Sequence, residues 1–526
     1  MRRFFAPAFI LLLLGFGCAQ IKPPPGGPED TSPPKAVEVM PADSTINVPI
    51  DTPIKIVFDE YIQASASNIA LSPPVEKFSV KVRHKSIEVD HSGLLQNTTY
   101  RVVVSTSLSD LQGNSLRKTL SYAFSTGSEL DTLSTGGRVY DSELSPAGGV
   151  RIHGYSTESQ EWDPQETEPS AITWSGKDGG FALENLPEGN FAVVGILDEN
   201  KDGFLSDNEL IALSPEVYDA GDDIPWSMIL FSPDSTPPEL ISTSTEGRYI
   251  VKIRFSEEIE LDRIHVSSKP DVGGFKLFIY PEEPQILALM AERPLPEGKM
   301  ELEIKGVSDR HGNREDYNST ADIRETSADT IPPSPAMNKK VRLLPEDSLL
   351  VRLDKPVRIG EIVIEDSLGR GIAGKFFMPD PYSIVFAPES EWPNREDLIW
   401  RLEKIVTLDG DTISDSTKHD LRFESAQGYG NLLVNVENIY DSLIVRAIML
   451  DESRREFSLK ASESGFSARS IPRGQYSIYL FCDFDGDSRW FPGSISPLKV
   501  PEPIFIYPDT IDVRGFWTTE VNIGIE

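Results

Sequence analysis

Residues 180–209 read GFALENLPEGNFAVVGILDENKDGFLSDNE, and a diverged copy of their first part, GFSARSIPRGQYSIYLFCDFDGD, begins at Gly465. In both stretches Gly-Phe is followed by an apolar-Pro-x-Gly turn, then by a long apolar run, then by acids spaced by two. A repeat of this length indicates that the chain was built by duplicating a module. The acids that correspond are Asp198, Asn200 and Asp202 in the first copy and Asp483, Asp485 and Asp487 in the second.

The composition predicts several domains made of short strands. The chain has 526 residues with 41 Pro and 38 Gly, too long for one core and rich in turns. Its formal net charge of −33 repels nucleic acid and anionic lipid head groups, so we expect no nucleic-acid partner. Divalent cations or basic partners suit such a surface, although an acidic surface that only keeps the protein soluble is the simpler interpretation.

The N-terminal segment predicts export. Arg2 and Arg3 precede an apolar run from Phe4 to Phe16, which is too short to span a bilayer and is typical of a signal peptide over residues 1–17. The following Leu-Leu-Gly-Phe-Gly-Cys resembles a bacterial lipoprotein lipobox, although Gly15 stands where Leu is commoner. The resemblance implies that Cys18 is acylated and anchors the chain in a membrane. An ordinary secretory signal with an incidental cysteine is the alternative.

A tether follows the predicted anchor. Residues 18–33 are rich in Pro and Gly and should form a semi-rigid spacer between the lipid and the first domain. Ala19, rather than Asp, follows the cysteine, and by the enteric sorting rule this resembles an outer-membrane lipoprotein. We therefore expect a lipid-anchored outer-membrane protein that faces either the periplasm or the exterior.

Residues 34–127 alternate apolar and polar side chains in the manner of strands, with Ile54, Ile56 and Phe58 on one face. The segment opens on Pro-Pro, a strand ends in Asp-Glu, and the turn Ser109-Asp-Leu-Gln-Gly-Asn114 precedes a closing Phe-Ser-Thr. These features resemble the bacterial Ig-like domain family first described at the N-terminus of S-layer proteins. The resemblance implies a seven-stranded β-sandwich without catalytic residues of its own.

The same plan recurs twice. Asp234-Ser-Thr-Pro-Pro238 opens a copy over residues 233–327, whose turn is Ser308-Asp-Arg-His-Gly-Asn313. Asp329-Thr-Ile-Pro-Pro333 opens a more divergent copy over residues 328–425. The acidic pair at the strand end recurs in the first two copies, as Asp59-Glu60 and Glu257-Glu258, which favours a structural role over a catalytic one.

The duplicated module fills residues 128–232, between the first two Ig-like copies, and residues 426–526. Its Gly-Phe strand, Leu-Pro-x-Gly turn and long apolar strand resemble the carboxypeptidase-regulatory or transthyretin-like sandwich. The predicted fold class is therefore all-β, with five tandem β-sandwiches of Ig-like and transthyretin-like type.

The acidic end of residues 180–209 fits the twelve-residue calcium loop of EF-hands. Oxygen side chains stand at loop positions 1, 3, 5, 9 and 12, a backbone carbonyl at position 7, and Gly203 at the sharp turn. The predicted calcium ligands are Asp198, Asn200, Asp202, Phe204 through its carbonyl, Ser206 and Glu209. Because a strand rather than a helix precedes the loop, calcium would stabilise it without acting as a sensor. A surface turn that needs no ion is the alternative.

The second copy is a weaker calcium candidate. Asp483, Asp485 and Asp487 keep the first three ligand positions, but Gly486 is displaced and Ser494 stands where the closing glutamate belongs. Cys482, just before this loop, is predicted to be a small buried thiol at a strand end.

The sequence favours a noncatalytic role. It contains no Gly-x-Ser-x-Gly elbow, no phosphate-binding loop and no pair of histidines at zinc-helix spacing. We interpret the chain as a lipid-anchored envelope scaffold or binding protein, with an envelope protein or glycan as its ligand. A cell-surface adhesin or glycan-binding protein is the alternative, and a hydrolase with accessory Ig-like modules is a third class. Seven scattered tryptophans could serve a glycan-binding role, but such residues are more often core.

Overall fold

The computed structural model describes residues 30–157, 162–206, 208–280, 283–324, 332–336, 340–343, 347–390, 392, 398–414, 417–423, 428–437, 442–462 and 465–525. Within these ranges the chain is built from β-strands, with one short 3₁₀ turn at Ala66–Asn68. The all-β prediction is confirmed. The predicted signal peptide, Cys18 and most of the tether lie outside the described residues, as does Asp329-Thr-Ile at the opening of the third predicted Ig-like copy. No helix in the described part is long and apolar enough to cross a membrane.

The first group of strands forms two facing sheets. Its strands are β1 (Ala36–Met40), β2 (Ile54–Phe58), β3 (Ile62–Gln63), β4 (Ile69–Ser72), β5 (Phe78–Val82), β6 (Ser86–His91), β7 (Thr99–Val104), β8 (Ser109–Asp110) and β9 (Leu120–Ser125). One sheet has the order β1-β2-β6-β5, the other has the order β4-β7-β9, and β3 pairs with β8. Ile54, Ile56 and Phe58 are buried while Lys55 and Val57 between them are partly exposed, as the alternation predicts.

The second group carries the first copy of the duplicated module. Its strands are β10 (Leu133–Tyr140), β11 (Arg151–Ser156), β12 (Ala171–Trp174), β13 (Gly180–Leu186), β14 (Asn190–Leu197), β15 (Leu210–Leu213), β16 (Tyr218–Asp219) and β17 (Met228–Ile229). The sheets have the orders β13-β10-β17 and β12-β11-β14-β15, with β16 also paired to β14. β14 is buried along nearly its whole length because it lies inside its sheet, between β11 and β15.

The third and fourth groups repeat the two-sheet plan. The third has β18 (Leu240–Glu246), β19 (Ile250–Phe255), β20 (His265–Lys269), β21 (Phe275–Tyr280), β22 (Glu283–Ala291), β23 (Gly298–Ser308) and β24 (Arg314–Ile323). The fourth has β25 (Lys340–Leu343), β26 (Leu349–Arg352), β27 (Val357–Glu365), β28 (Gly374–Phe377), β29 (Ser383–Pro388), β30 (Leu398–Thr407), β31 (Thr412–Ile413) and β32 (His419–Phe423). Their sheets have the orders β18-β19-β22-β21 with β20-β23-β24, and β25-β32-β30-β27 with β26-β29-β28.

The fifth group carries the second copy of the module. Its strands are β33 (Tyr429–Glu437), β34 (Leu443–Met449), β35 (Glu456–Ser462), β36 (Gly465–Pro472), β37 (Gly474–Cys482), β38 (Ser494–Ile495), β39 (Leu498–Lys499), β40 (Ile504–Ile506), β41 (Ile511–Val513) and β42 (Thr518–Gly524). The order β40-β37-β34-β35-β36-β33-β42 is continuous because β35 pairs with both β34 and β36. Cys482, at the end of β37, is a free buried thiol as predicted.

The two copies of the module pack against each other. Trp226 of the second group is 4% exposed and belongs to the apolar core of the fifth group. The Ser227 N–H donates to the Ile504 carbonyl at 2.7 Å, and the Ile506 N–H donates to Ser227 Oγ at 3.0 Å. Arg454 also donates to the Glu143 carbonyl at 2.7 Å. The last module therefore lies against the second group of strands, although two other groups separate them in sequence.

Three further junctions are bridged by side chains. Trp174 of the second group packs with Ala70 and Val103 of the first. The third and fourth groups meet where Tyr280 lies 5.5 Å from Tyr382, ring centre to ring centre. Arg489 of the fifth group pairs with Glu258 of the third at 2.7 Å. Side-chain contacts thus hold neighbouring sandwiches in place.

Candidate metal centres

The first predicted calcium loop connects two antiparallel strands of one sheet. Asp198 follows β14 directly and Glu209 precedes β15 directly, and Leu197 at the end of β14 pairs with Leu210 at the start of β15. The strand pairing therefore brings the two ends of the loop together. Gly203 has a φ of 87°, the left-handed conformation that the sharp turn was predicted to need.

Backbone N–H groups orient the side chains of the first half of the loop. Gly203 N–H donates to Asp198 Oδ2 at 3.0 Å, and Asp202 N–H donates to Asn200 Oδ1 at 2.8 Å. Phe204 N–H donates to Asp202 Oδ1 at 2.8 Å. Each of these side-chain oxygens accepts a bond from a backbone N–H of the same loop, so the loop backbone surrounds its own polar side chains.

Glu209 closes the loop. It is only 5% exposed, and its Oε1 accepts from the Glu199 N–H at 3.0 Å while its Oε2 accepts from the Ser206 N–H at 2.9 Å. One carboxylate thus joins the start and the end of the loop. Phe204, whose carbonyl is the predicted ligand, has a half-exposed side chain.

The side chains of this loop are of the kind that calcium binds, and one carboxylate oxygen among them has no partner. Asp198 Oδ1 is buried and has no hydrogen-bond partner, which is costly for a carboxylate oxygen unless a cation meets it. Burial raises the pKa of Asp198, and the positive charge of Arg151 opposes that rise. Asn200 now points its Nδ2 at Asp202 Oδ2 and at Ser206 Oγ, at 2.9 and 2.8 Å, so its amide would have to turn to offer an oxygen to an ion.

A fixed positive charge stands beside the loop. The Arg151 guanidinium lies 5.2 Å from the centre of the Trp174 ring, and its Nε donates to His153 Nε2 at 3.0 Å. It also lies against Gly203, where an added Cβ would come within 3.2 Å of Nη2. Burial lowers the pKa of Arg151, while the charges of Asp198 and Asp202 raise it. Arg151 therefore neutralises part of the acidic loop.

The second loop has the same hydrogen-bonding plan. It follows β37, and Asp483 accepts from the Gly486 N–H at 2.8 Å and from the Ser488 N–H at 3.1 Å. Asp483, Asp485 and Glu502 each place a carboxylate oxygen within 4.8 Å of the others. Asp487, the third predicted ligand, is not part of this trio, and its Oδ1 accepts from the Arg489 N–H at 2.6 Å.

Glu502 closes the second loop and was missed in the sequence. Its Oε1 accepts from the Phe484 N–H at 2.6 Å and its Oε2 from the Phe491 N–H at 3.0 Å. Counted from the first aspartate, these donors stand at the same positions as Glu199 and Ser206, which bind Glu209. The short hairpin of β38 and β39 separates Glu502 from the place where a glutamate was expected. No fixed spacing in the sequence could have revealed Glu502, whose burial and contacts appear only in the fold.

The tryptophans are mostly core, as expected. Four of the seven are buried, namely Trp174, Trp226, Trp392 and Trp400. Trp517 is different, because it is 69% exposed beside Phe516, which is 70% exposed. These two side chains form an aromatic tip in the turn between β41 and β42.

The first sandwich has a match among known protein families. Residues 30–126 match the sequence model of the bacterial Ig-like domain family. No curated protein matches the chain. The chain is thus an all-β protein of tandem sandwiches. Its first sandwich is similar to the bacterial Ig-like domain family over residues 30–126.

Solved structures give distant matches. The N-terminal part of the bacterial S-layer protein SbsC is 13% identical, with 36% of this chain and 44% of that chain covered and a TM-score of 0.18. The Bacillus anthracis TIE protein is 9% identical, with 93% and 74% covered and a TM-score of 0.14. The major pilin subunit of Bacillus cereus is 8% identical, with 74% and 98% covered and a TM-score of 0.13. Scores this low carry no argument about function.

Proposed function

We propose that this chain is a noncatalytic scaffold of a bacterial envelope, anchored by lipid at Cys18 and exposed in the periplasm or at the cell surface. The observation that carries the proposal is the packing of the last module on the second group of strands through Trp226. A protein that only spaces a ligand from a membrane has no need for contacts between distant domains. Buried contacts of this kind suit a protein that holds a defined shape for a partner.

The lipid anchor rests on the lipobox-like sequence that ends at Cys18. Two or more acyl chains on this cysteine would give stable attachment to the membrane. Metabolic labelling with a palmitate analogue tests the anchor, with Cys18→Ser as the variant. We expect labelled protein in the membrane fraction for the wild type and unlabelled protein released by the variant. Labelling that persists in Cys18→Ser would rule out this attachment site.

Calcium is the cofactor that we propose for both acidic loops. In the first loop it would be held by the residues predicted from the sequence, and Asp198 Oδ1 is the oxygen that most needs a cation. In the second loop Glu502 would join Asp483 and Asp485. Bound calcium would offset the repulsion among these carboxylates and tie each loop to the strand that follows it.

Thermal melting with calcium or with EDTA tests the first loop, with Glu209→Gln as the variant. With calcium at a hundredfold excess over the dissociation constant, binding should add about 2.7 kcal/mol. For a domain of about 100 residues that is a rise in Tm of more than about 5 °C. Glu216→Gln, which changes a glutamate outside the loop, should keep the full rise. The same Tm for the wild type in calcium and in EDTA would show that calcium does not bind the first loop.

The aromatic tip of Phe516 and Trp517 favours a second candidate function. Neighbouring aromatic side chains that are about two-thirds exposed are typical of binding surfaces, and stacking on a sugar ring is one of their uses. A cell-surface adhesin or glycan-binding protein would use this tip. Retention on immobilised envelope glycans that disappears in Trp517→Ala, but not in Trp490→Phe, would favour this candidate over the scaffold.

A further inference from the structure

A mixed group of metal-binding side chains lies where the chain enters the third group of strands. Asp234 belongs to the segment that leads into β18, and Asp309 and His311 belong to the turn after β23. One donor atom of each lies within 4.8 Å of the other two. Asp234 Oδ2 is 3.5 Å from His311 Nδ1. Two carboxylates and one imidazole thus lie close enough together to share one metal ion.

Asn313 holds this arrangement in place. Its Nδ2 donates to Asp309 Oδ2 at 2.7 Å and to the Asp234 carbonyl at 3.2 Å, while its N–H donates to Asp309 Oδ1 at 2.9 Å. Asp309 is 4% exposed and therefore fixed. The Thr236 N–H and hydroxyl both donate to Asp234 Oδ1 at 3.0 Å, while Oδ2 lies 3.5 Å from the histidine Nδ1. The Asp234 carboxylate also shares a hydrogen bond with Glu257. The donor atoms are positioned before any ligand arrives.

The spacing of the donors suits a small divalent metal. Zinc binds imidazole nitrogen and carboxylate oxygen at about 2.0–2.2 Å in a tetrahedral arrangement, so two of its ligands lie about 3.3–3.6 Å apart. The 3.5 Å between Asp234 Oδ2 and His311 Nδ1 falls in that range. The same distance allows an ion pair when His311 is protonated, and a metal bound to the neutral ring would replace that proton. A nitrogen donor beside two oxygens favours zinc over calcium, which takes oxygen ligands.

The first sandwich supplies a natural comparison. There Asp30, Glu60 and Asp110 form an equivalent group, and Asn114 makes the same bonds as Asn313, to Asp110 Oδ2 and to the Asp30 carbonyl. In the turn, Gln112 stands where the third group has His311. Glutamine is therefore compatible with this turn. The histidine is what changes an all-oxygen group into one with a nitrogen donor.

We propose that Asp234, Asp309 and His311 form a binding site for a divalent transition metal, with Zn²⁺ as the ion that fits best. The metal would fasten the linker segment at Asp234 to the turn of the sandwich that follows it. A fourth position would stay open to water or to a neighbouring carboxylate such as Glu257. The site is independent of the two calcium loops, because it lies in a different domain and uses a nitrogen donor.

The test is metal binding by the full chain after removal of all metal. Zn²⁺ bound per chain is counted after equilibrium dialysis, and Co²⁺ is used as a spectroscopic probe of a site with low coordination number. We expect His311→Gln to bind one Zn²⁺ fewer than the wild type and to lose visible Co²⁺ absorption bands. His265→Gln, an exposed histidine in the same domain, should bind as much Zn²⁺ as the wild type.

Folding of the variant is checked by melting in EDTA, where His311→Gln should match the wild type because Gln112 occupies the same position in the first sandwich. Zn²⁺ should then raise the Tm of the wild type above that of His311→Gln. Equal Zn²⁺ binding by the wild type and His311→Gln would overturn the proposal. So would a wild-type chain that binds no Zn²⁺.

Discussion

His153 is a histidine that the fold keeps neutral. It is 1% exposed, and burial, followed by the charge of Arg151, lowers its pKa from 6.5 to about 3. Arg151 Nε donates to His153 Nε2, so the proton resides on Nδ1, which donates to the Tyr155 hydroxyl at 3.0 Å. The imidazole therefore orients the guanidinium that lies beside the first predicted calcium loop. A charged ring would disrupt this chain of bonds.

This predicts a loss of stability in mild acid. The folded-state pKa lies below the unfolded value of 6.5, so the contribution of His153 is present above that value and is lost as the pH falls towards about 3. Between pH 7 and pH 5 the loss should be about 2 kcal/mol in the free energy of unfolding. Urea unfolding of the full chain at pH 7 and at pH 5, followed by tryptophan fluorescence, measures it.

His153→Gln is the variant for this prediction, since glutamine can still donate and accept hydrogen bonds. It should be less stable than the wild type at pH 7 but should lose much less on acidification. The expectation fails if both proteins lose the same free energy between pH 7 and pH 5.

At the scale of elements, the sequence predicted those features that depend on a few neighbouring residues. The alternation of Ile54, Ile56 and Phe58 and the positive φ of Gly203 follow from side-chain period and turn geometry within a few residues. The closure of the second acidic loop by Glu502 could not be predicted in this way, because the hairpin of β38 and β39 lies between Glu502 and Asp483. A fixed spacing cannot reveal a ligand that returns from a longer loop. The pairing of β37 with β40 is what brings Glu502, just before β40, close to Asp483, just after β37.

The second loop therefore allows a sharp comparison of two residues. If Glu502 is the closing ligand, Glu502→Gln should reduce the rise in Tm that calcium gives to the last module. Ser494→Ala should leave that rise unchanged, although Ser494 stands at the position that sequence spacing assigns to the ligand. Melting of both variants in calcium and in EDTA separates the two assignments, and a loss confined to Ser494→Ala would show that Glu502 is not a ligand.

At the scale of the whole molecule, the chain returns on itself. Ser227 and Ile506 are hydrogen-bonded across 279 positions, and Tyr140, Ile229, Phe481 and Ile504 form a shared apolar cluster at the same junction. Closing so long a loop costs entropy that grows slowly with length, so a modest buried contact can offset it. The sequence showed that the module is duplicated, but its periodicity could not show that the copies contact each other.

Small-angle X-ray scattering of the full chain tests this arrangement most directly. Because the last module lies on the second group of strands, we expect a maximum dimension shorter than that of five domains, each with a radius of gyration of about 13 Å, laid end to end. Trp226→Ala removes a buried side chain and should cost about 3–5 kcal/mol at the junction, which would lengthen the particle. Trp517→Ala, at an exposed tryptophan, should leave it unchanged. A wild-type chain that already has the length of five domains in a row would contradict the scaffold that we propose.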